Sequence, residues 1–261
     1  RTCSLISTKL PRTAAWSVAD WRGEYTNLWS TCMKFLRITL VILGAIALAI
    51  GAWRPVAVKA GSLQQGQHPA GGALQFKGEP LDLGDAAPRV GELIANVEFI
   101  DIGGNRKDLA EIMGDSGLVV VMRDVFCPVS RKYGTRLGHI EDEYRDKGFG
   151  FLYVNVNKAD TLEVVKDEID AYGFEAPYVL DPGAPIAYAL EATTSTEVFV
   201  LDATRILRYR GAVDDQYGIG FTKIAPRKNY MVDALNAVEA GTEVESKGTI
   251  APGCYLSLSG G

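Results

Sequence analysis

A run of buried-strand residues that ends in a Cys-Pro turn and continues as an amphipathic helix is compatible with few folds, and this chain contains one. It reads LVVVMRDVFCPVSRKY over residues 118–133. Leu118 to Met122 is uninterrupted apolar, β-rich sequence, the pattern of a strand covered on both faces. Pro128 suits the first turn of a helix, where its missing N–H costs nothing. Val129, Tyr133, Leu137, Ile140 and Tyr144 then recur every three or four residues, which puts them on one helical face. Cys127 therefore stands at a helix N-terminus. Unpaired backbone N–H groups and the positive end of the helix dipole favour a thiolate there, lowering the pKa from its usual ~8.5 and making the sulfur nucleophilic near neutral pH. Ser130, one turn on, can donate or accept a hydrogen bond at the same place. The alternative is a buried structural cysteine, the commoner fate of a free Cys.

Around this stretch, strand and helix patterns alternate. Ile94 to Ile102 reads as a strand ended by the turn cluster Gly103, Gly104 and Asn105, and Lys107 to Met113 as a short helix. The helix from Pro128 is expected to reach Lys147 and stop at Gly148, followed by a second buried strand over Phe149 to Val156. Asp160 to Tyr172 is amphipathic and closed by Gly173, Pro177 to Asp181 is extended, and Pro185 to Leu190 is a small helix. Glu197 to Leu201 and Ile206 to Arg210 read as two strands joined by a tight turn, and Pro226 to Ala240 as a closing helix capped by Gly241. Such alternation implies crossover connections and an α/β fold with parallel strands.

Charge is divided unevenly. Residues 1–60 carry eight Lys or Arg against two acids, a net +6, whereas residues 61–261 carry nineteen against thirty, a net −11. An acidic body argues against nucleic-acid binding. A basic start fits a segment held at the cytoplasmic side of a membrane. Residues 38–53 contain no charge and are flanked by Arg37 and Arg54. As a helix they would be ~24 Å long, short of a ~30 Å hydrocarbon core unless the arginines snorkel. The small-residue sequence VKA before Gly61 also fits an export signal cleaved after Ala60. Signal and retained anchor remain equal alternatives, and both place the body outside the cytoplasm, exported, periplasmic or membrane-anchored. Met33 stands where a signal would begin, so residues 1–32 are expected to be an upstream extension, with a short cytoplasmic tail as the alternative. Residues 33–60 are then the signal or anchor, 61–81 a Gly-, Gln- and Pro-containing tether, 82–256 the globular domain and 257–261 a tail. Of four cysteines, at positions 3, 32, 127 and 254, only Cys127 and Cys254 fall in the body. Two thiols in an oxidising compartment can form one disulfide.

The stretches VFCPVSRKYGTRL (125–137), TSTEVFVLDATRILRYRGAVDDQYG (194–218) and APRKNYMVDALNAVEAGTEV (225–244), followed by APGC (251–254), resemble the redoxin domains related to alkyl hydroperoxide reductase, thiol-specific antioxidant and membrane-tethered thioredoxin-like proteins of bacteria. The resemblance covers roughly residues 82 to 256. It implies a thioredoxin-like, three-layer α/β/α fold with a mixed central sheet, here preceded by an N-terminal hydrophobic helix. It also implies thiol-disulfide oxidoreductase chemistry or thiol-dependent peroxide defence, with Cys127 as nucleophile and Phe126, Pro128 and Thr196 contacting substrate. Protein or small-molecule thiols and disulfides are the expected partners, with peroxides as an alternative, the membrane reached through the N-terminal helix, and no nucleic acid. No cofactor is expected.

Departures from the family pattern narrow this. A second cysteine usually follows three residues after the first, but position 130 is Ser, which removes the local resolving thiol. The resemblance places a Gly-Cys near the domain's end, making Cys254 the candidate resolving residue, with Gly253 permitting a close backbone approach. A structural Cys127–Cys254 disulfide and a distant, unpaired Cys254 remain the alternatives. Thr196 occupies the position where thioredoxins carry a cis-proline, and a non-proline residue strongly disfavours a cis peptide. Glu197 follows and is a candidate proton acceptor near the sulfur, or a strand-edge charge. Peroxiredoxins carry Thr or Ser three residues before the attacking Cys and an Arg from a later strand. Here position 124 is Asp, neither Thr194 nor Ser195 supplies the Arg, and an acid beside the sulfur would raise its pKa. Arg123 or Arg131 could offset Asp124, or both could be solvated. A copper site would need clustered soft ligands, and residue 131 is Arg while His139 lies far along the helix, so no metal is expected. Asp214 and Asp215 form an acidic pair, a cation ligand or a solvated loop. A catalytically silent module docking to a membrane redox complex is the reading from a different class, favoured by Ser130 and Thr196.

Overall fold

All residues of Gly117–Arg123 are buried, a condition a strand meets only when it is paired on both edges and covered on both faces. The computed structural model, which describes residues 78–256 and 258, provides all four covers. After a 3-10 turn at Gly84–Ala86 come β1 (Glu98–Ile100), β2 (Arg106–Asp108) and β3 (Gly117–Arg123). Next are α1 (Pro128–Arg145), β4 (Phe149–Asn155), α2 (Leu162–Tyr172), β5 (Tyr178–Leu180) and α3 (Pro185–Leu190). Last come β6 (Val198–Asp202), β7 (Leu207–Gly211), the short pair β8 (Tyr217–Gly218) and β9 (Phe221–Thr222), and α4 (Tyr230–Glu239).

The central sheet has the order β5-β4-β3-β6-β7. β4 is parallel to β3 and to β5, whereas β6 is antiparallel to both β3 and β7. This is the mixed sheet of a thioredoxin-like α/β fold. Alternation along β3 splits the core into two layers. Val119 and Val121 face one cluster with Tyr133, Leu137, Val165, Met231 and Leu235, from α1, α2 and α4. Leu118, Val120 and Met122 face the other, with Ile94, Phe99, Leu109, Ile186 and Leu190. Among the described residues no helix is long and apolar enough to cross a membrane. The hydrophobic segment 38–53, its flanking arginines, Cys3, Cys32 and His68 lie outside the described residues.

Most elements form where the sequence pattern puts them, and the punctuation is as expected. Thr161 caps α2 by accepting from Val164 N, and Gly173 ends it in the left-handed conformation at φ 70°. Two expectations need correction. Residues 107–113 are not a helix: Arg106–Asp108 pairs with Glu98–Ile100 as a hairpin, and the turn after it is held by side chains. Asn96 Oδ1 accepts from Ala110 N, Asp108 Oδ1 from Glu111 N and Glu111 Oε2 from Asp108 N, so local polar groups outcompete a helix too short to be stable alone. The strand expected over 94–102 is only three residues long, because Ile94 and Val97 pair instead with Arg205 and Leu109.

α1 lies close to the C-terminal end of α2, and two glycines one turn apart permit this. A Cβ on Gly138 would stand within hard contact of the Tyr172 backbone carbonyl, and one on Gly134 would enter the Tyr172 ring. Gly138→Ala gains helix propensity, yet forces the backbones apart, so it is expected to destabilise the domain by about 1–3 kcal/mol. A fall in thermal midpoint relative to wild type measures this, and an unchanged or raised midpoint would refute it.

Candidate functional site

β6 runs antiparallel to β3 with Val198 opposite Val121, so the segment entering β6 meets the segment leaving β3. Met122 N donates to Glu197 O at 2.9 Å across this junction. The turn 124–127 and the loop 193–197 therefore face each other at one end of the sheet.

Cys127 is the residue before α1, extended at φ −67°, ψ 121°, and its carbonyl accepts from Arg131 N at 3.0 Å to begin the helix. Pro128 is the first helical residue. The turn before it is held by three side chains. Asp124 Oδ1 accepts from Phe126 N (2.8 Å) and Cys127 N (3.0 Å), while Ser130 Oγ accepts from Asp124 N (3.3 Å). Asp160 Oδ2 accepts from Val125 N (3.0 Å) and from Asn155 Nδ2 (2.7 Å). Beneath them Arg123, only 1% exposed, pairs with Glu168 and donates to the carbonyl of Ser130 at 2.8 Å. Arg123 is thus a buried structural charge and Arg131 an exposed one.

The C-terminal segment brings the second thiol. Ser195 N donates to Cys254 O at 2.9 Å, Leu256 N to Thr193 O at 2.9 Å, and Thr194 bridges Tyr255 in antiparallel register. Thr196 Oγ1 donates to Pro252 O at 2.8 Å, and Gly253 passes so close to Thr196 that a Cβ there would collide with its side chain. Both Cys127 and Cys254 are reduced, the first buried and the second half-buried. Cys254 hydrogen-bonds the Cys127 sulfur through its thiol, the largest influence on the Cys127 pKa, which comes down to about 6. Burial opposes this, and the Ser195 hydroxyl and the N–H groups of Ser130 and Cys254 add to it. Ser195 Oγ is buried and makes no fully formed hydrogen bond, so its dipole reaches the thiolate only as a weak donor.

The remaining candidates are distributed as follows. Phe126 is 49% exposed beside Cys127, and Thr196 is buried against the tail, with no cis peptide among the described residues. Glu197 is not a proton acceptor at the sulfur. Its Oε1 takes two hydrogen bonds from Arg210, at 2.8 and 2.6 Å, and its Oε2 takes Thr193 N and Oγ1, at 2.8 and 2.9 Å. Asp214 and Asp215 are neither solvated nor arranged for a cation. Asp214 Oδ1 accepts from Tyr133 Oη at 2.7 Å and Asp215 pairs with Lys223 at 2.7 Å. Among the described residues no group of His, Cys, Asp and Glu could hold a metal ion, and His139 is exposed. Sequence reading missed the roles of Ser195 and Asp160. The only signal for either was its position, Ser195 beside Thr196 and Asp160 at the end of a strand-to-helix connection.

The Redoxin family model matches residues 83–224, more than half of the chain. The chain belongs to the Redoxin family. Among solved structures this redoxin is similar to a hypothetical protein from Sinorhizobium meliloti 1021, with 27% identity and a TM-score of 0.60 over 70% of this chain and 100% of that one. It is also similar to an uncharacterized conserved protein from Geobacillus kaustophilus, with 22% identity and a TM-score of 0.60 over 69% of this chain and 96% of the other. Among curated proteins none matches. The matched region ends before Cys254, so the second thiol is contributed from beyond it.

The hydrogen bonds fix a pH signature. Thiolate absorbance near 240 nm should titrate with a midpoint near 6 for Cys127, while thiols of ordinary pKa (~8.5) titrate later. Cys254→Ala removes the strongest donor and leaves the burial, so the midpoint should rise by more than one unit, and Ser195→Ala should raise it less. A midpoint unmoved in Cys254→Ala would show that the second thiol does not act on the first. Because the folded pKa lies below the unfolded value, this ionisation stabilises the fold at high pH, and the contribution is lost as pH falls through about 6.

Proposed function

We propose that this redoxin is an extracytoplasmic thiol-disulfide oxidoreductase in which Cys127 is the nucleophile and Cys254 the resolving thiol. The observation that carries the reading is the pairing of the tail with the loop beside Cys127, Ser195 N to Cys254 O at 2.9 Å, which brings the Cys254 thiol into hydrogen-bonding contact with the Cys127 sulfur and draws its pKa down to about 6. At neutral pH Cys127 is mostly thiolate, the form that attacks disulfides. It attacks one sulfur of a substrate R–S–S–R, forming Cys127–S–S–R and releasing one RS⁻. Cys254 then gives up its proton, attacks the Cys127 sulfur and expels the second RS⁻. Protons from Cys254 and solvent convert both leaving groups to RSH, and the chain ends as a Cys127–Cys254 disulfide. Two equivalents of an external thiol return it to the dithiol.

Ser130 and Phe126 serve this cycle without chemistry of their own. Ser130 holds the turn through its hydroxyl and offers its N–H to the thiolate, while Phe126 and Pro128 are the exposed residues on either side of Cys127 in the chain. Peroxide reduction is less well supported, since the groups lowering the Cys127 pKa are neutral donors and the carboxylate of Asp124 lies in the preceding turn. A silent interaction module would have no use for a depressed thiol pKa beside a second thiol. The extracytoplasmic setting rests on the uncharged segment 38–53 between Arg37 and Arg54 and on the basic first sixty residues.

Oxidising the reduced full chain with glutathione disulfide at pH 7 and mapping the products by mass spectrometry tests this. Wild type should yield the Cys127–Cys254 disulfide. Cys254→Ser should stop at a glutathione adduct on Cys127, and Cys127→Ser should form neither product at a comparable rate. An adduct that forms equally fast in Cys127→Ser would refute the nucleophile assignment.

A further inference from the structure

The loop 193–196 beside Cys127 is the edge where an extended peptide would add itself as a strand, because Ser195 N and Thr193 O point outward from it. An edge of this kind gains affinity for a polypeptide through main-chain hydrogen bonds. Here both groups are already engaged, by Cys254 O and Leu256 N, and the register Thr194 to Tyr255 is that of an added antiparallel strand. The strand is also anchored upstream. Thr249 N donates to Arg210 O at 3.0 Å, its Oγ1 accepts from Ala212 N at 2.8 Å, and Ile250 N donates to Leu81 O at 2.9 Å. Ala251, Pro252 and Gly253 are buried. Cys127 itself is 2% exposed, while its neighbours Phe126 and Pro128 and the Cys254 neighbour Tyr255 are exposed.

We propose that residues 252–256 permanently fill the strand-docking edge of the site, so that its exchange substrates are low-molecular-weight thiols and disulfides rather than extended polypeptide disulfides. This rests on the exchange function proposed above and specifies its substrate class. A compact disulfide needs no backbone pairing partner to react at the Cys127 sulfur. A polypeptide must first displace a strand held by three hydrogen bonds and by the packing of Gly253 on Thr196. With glutathione disulfide the balance is dithiol chain plus one glutathione disulfide giving disulfide chain plus two glutathione thiols, by the two displacements already described.

The test compares rates of Cys127–Cys254 disulfide formation in the reduced full chain at pH 7 with two probes, glutathione disulfide and denatured, disulfide-bonded ribonuclease. The polypeptide is expected to react at least 100-fold more slowly per disulfide. Leu256→Pro removes the N–H given to Thr193 O and should raise the polypeptide rate relative to the glutathione rate at least tenfold, whatever the change in either rate alone. Polypeptide and glutathione rates within threefold of each other in wild type would overturn the inference while leaving the exchange function standing, and that comparison decides even if Leu256→Pro fails to fold. A folded Leu256→Pro with an unchanged ratio of polypeptide to glutathione rates would also overturn it. Inertness toward both probes would overturn the exchange function, and this inference with it.

Discussion

Because β6 runs antiparallel to β3, the segment entering one strand lies beside the segment leaving the other, and every contact that matters to Cys127 follows from that pairing. Met122 N reaching Glu197 O sets the last rung of the ladder. Past it the two chains can no longer pair, since Asp124 turns away to begin α1 and Thr196 turns toward the tail. A parallel β6 would bring its far end to this place, and neither Ser195 nor the segment carrying Cys254 could reach the sulfur. The reactive end of the sheet is therefore a consequence of strand direction more than of any single side chain.

Two buried ion pairs keep that end rigid, and both lie just outside the chemistry. Arg123 ties Glu168 of α2 to the first turn of α1, while Arg210 ties Glu197 to the carbonyls of Leu190 and Glu191 that close α3. Such pairs contribute little net stability against well-packed apolar substitutes, but removing one partner leaves an uncompensated buried charge at a cost of about 3–5 kcal/mol. Their value here is positional. Arg123 fixes the helix whose N-terminus receives the thiolate, and Glu197, occupied on both oxygens, fixes the loop against which the tail is paired. An unengaged carboxylate at position 197 would have been a candidate base, whereas the observed one is an anchor.

The features legible in sequence were those with a local cause. The buried run of β3, the Cys-Pro turn, the periodic face of α1 and the glycine ending α2 each follow from a few neighbouring residues, and they were enough to imply an α/β fold and to single out Cys127. What sequence could not supply was distance. Whether Cys254 approaches Cys127 depends on the path of the chain after α4, on Thr249 bonding to β7 and on Gly253 fitting against Thr196, contacts separated by 37 to 56 residues in the chain. The same holds for the acids. Glu197, Asp214 and Asp215 read as available charges, and each turned out to be buried with its own partners. The segment 94–113 failed for the opposite reason, since its polar side chains bind their own backbone and overrule a helical pattern of a few residues.

The opposing influences on Cys127 explain why its surroundings take this form. A helix terminus alone favours a thiolate by a modest amount that solvent and salt reduce, and full burial works against the charge. A buried thiolate therefore needs donors placed at the sulfur itself. The turn and helix supply the N–H of Ser130, and the tail supplies both the N–H and the thiol of Cys254. The strongest of these donors is also the group that would form the disulfide. Oxidation would thus remove the charge and its principal donor in one step, replacing a hydrogen-bonded thiolate with a neutral bridge between elements already paired by backbone. Asp160, Ser130 and the tail hold the backbone on either side of the two sulfurs by hydrogen bonds, so the donors that offset burial at Cys127 are fixed in place by elements distant in the chain.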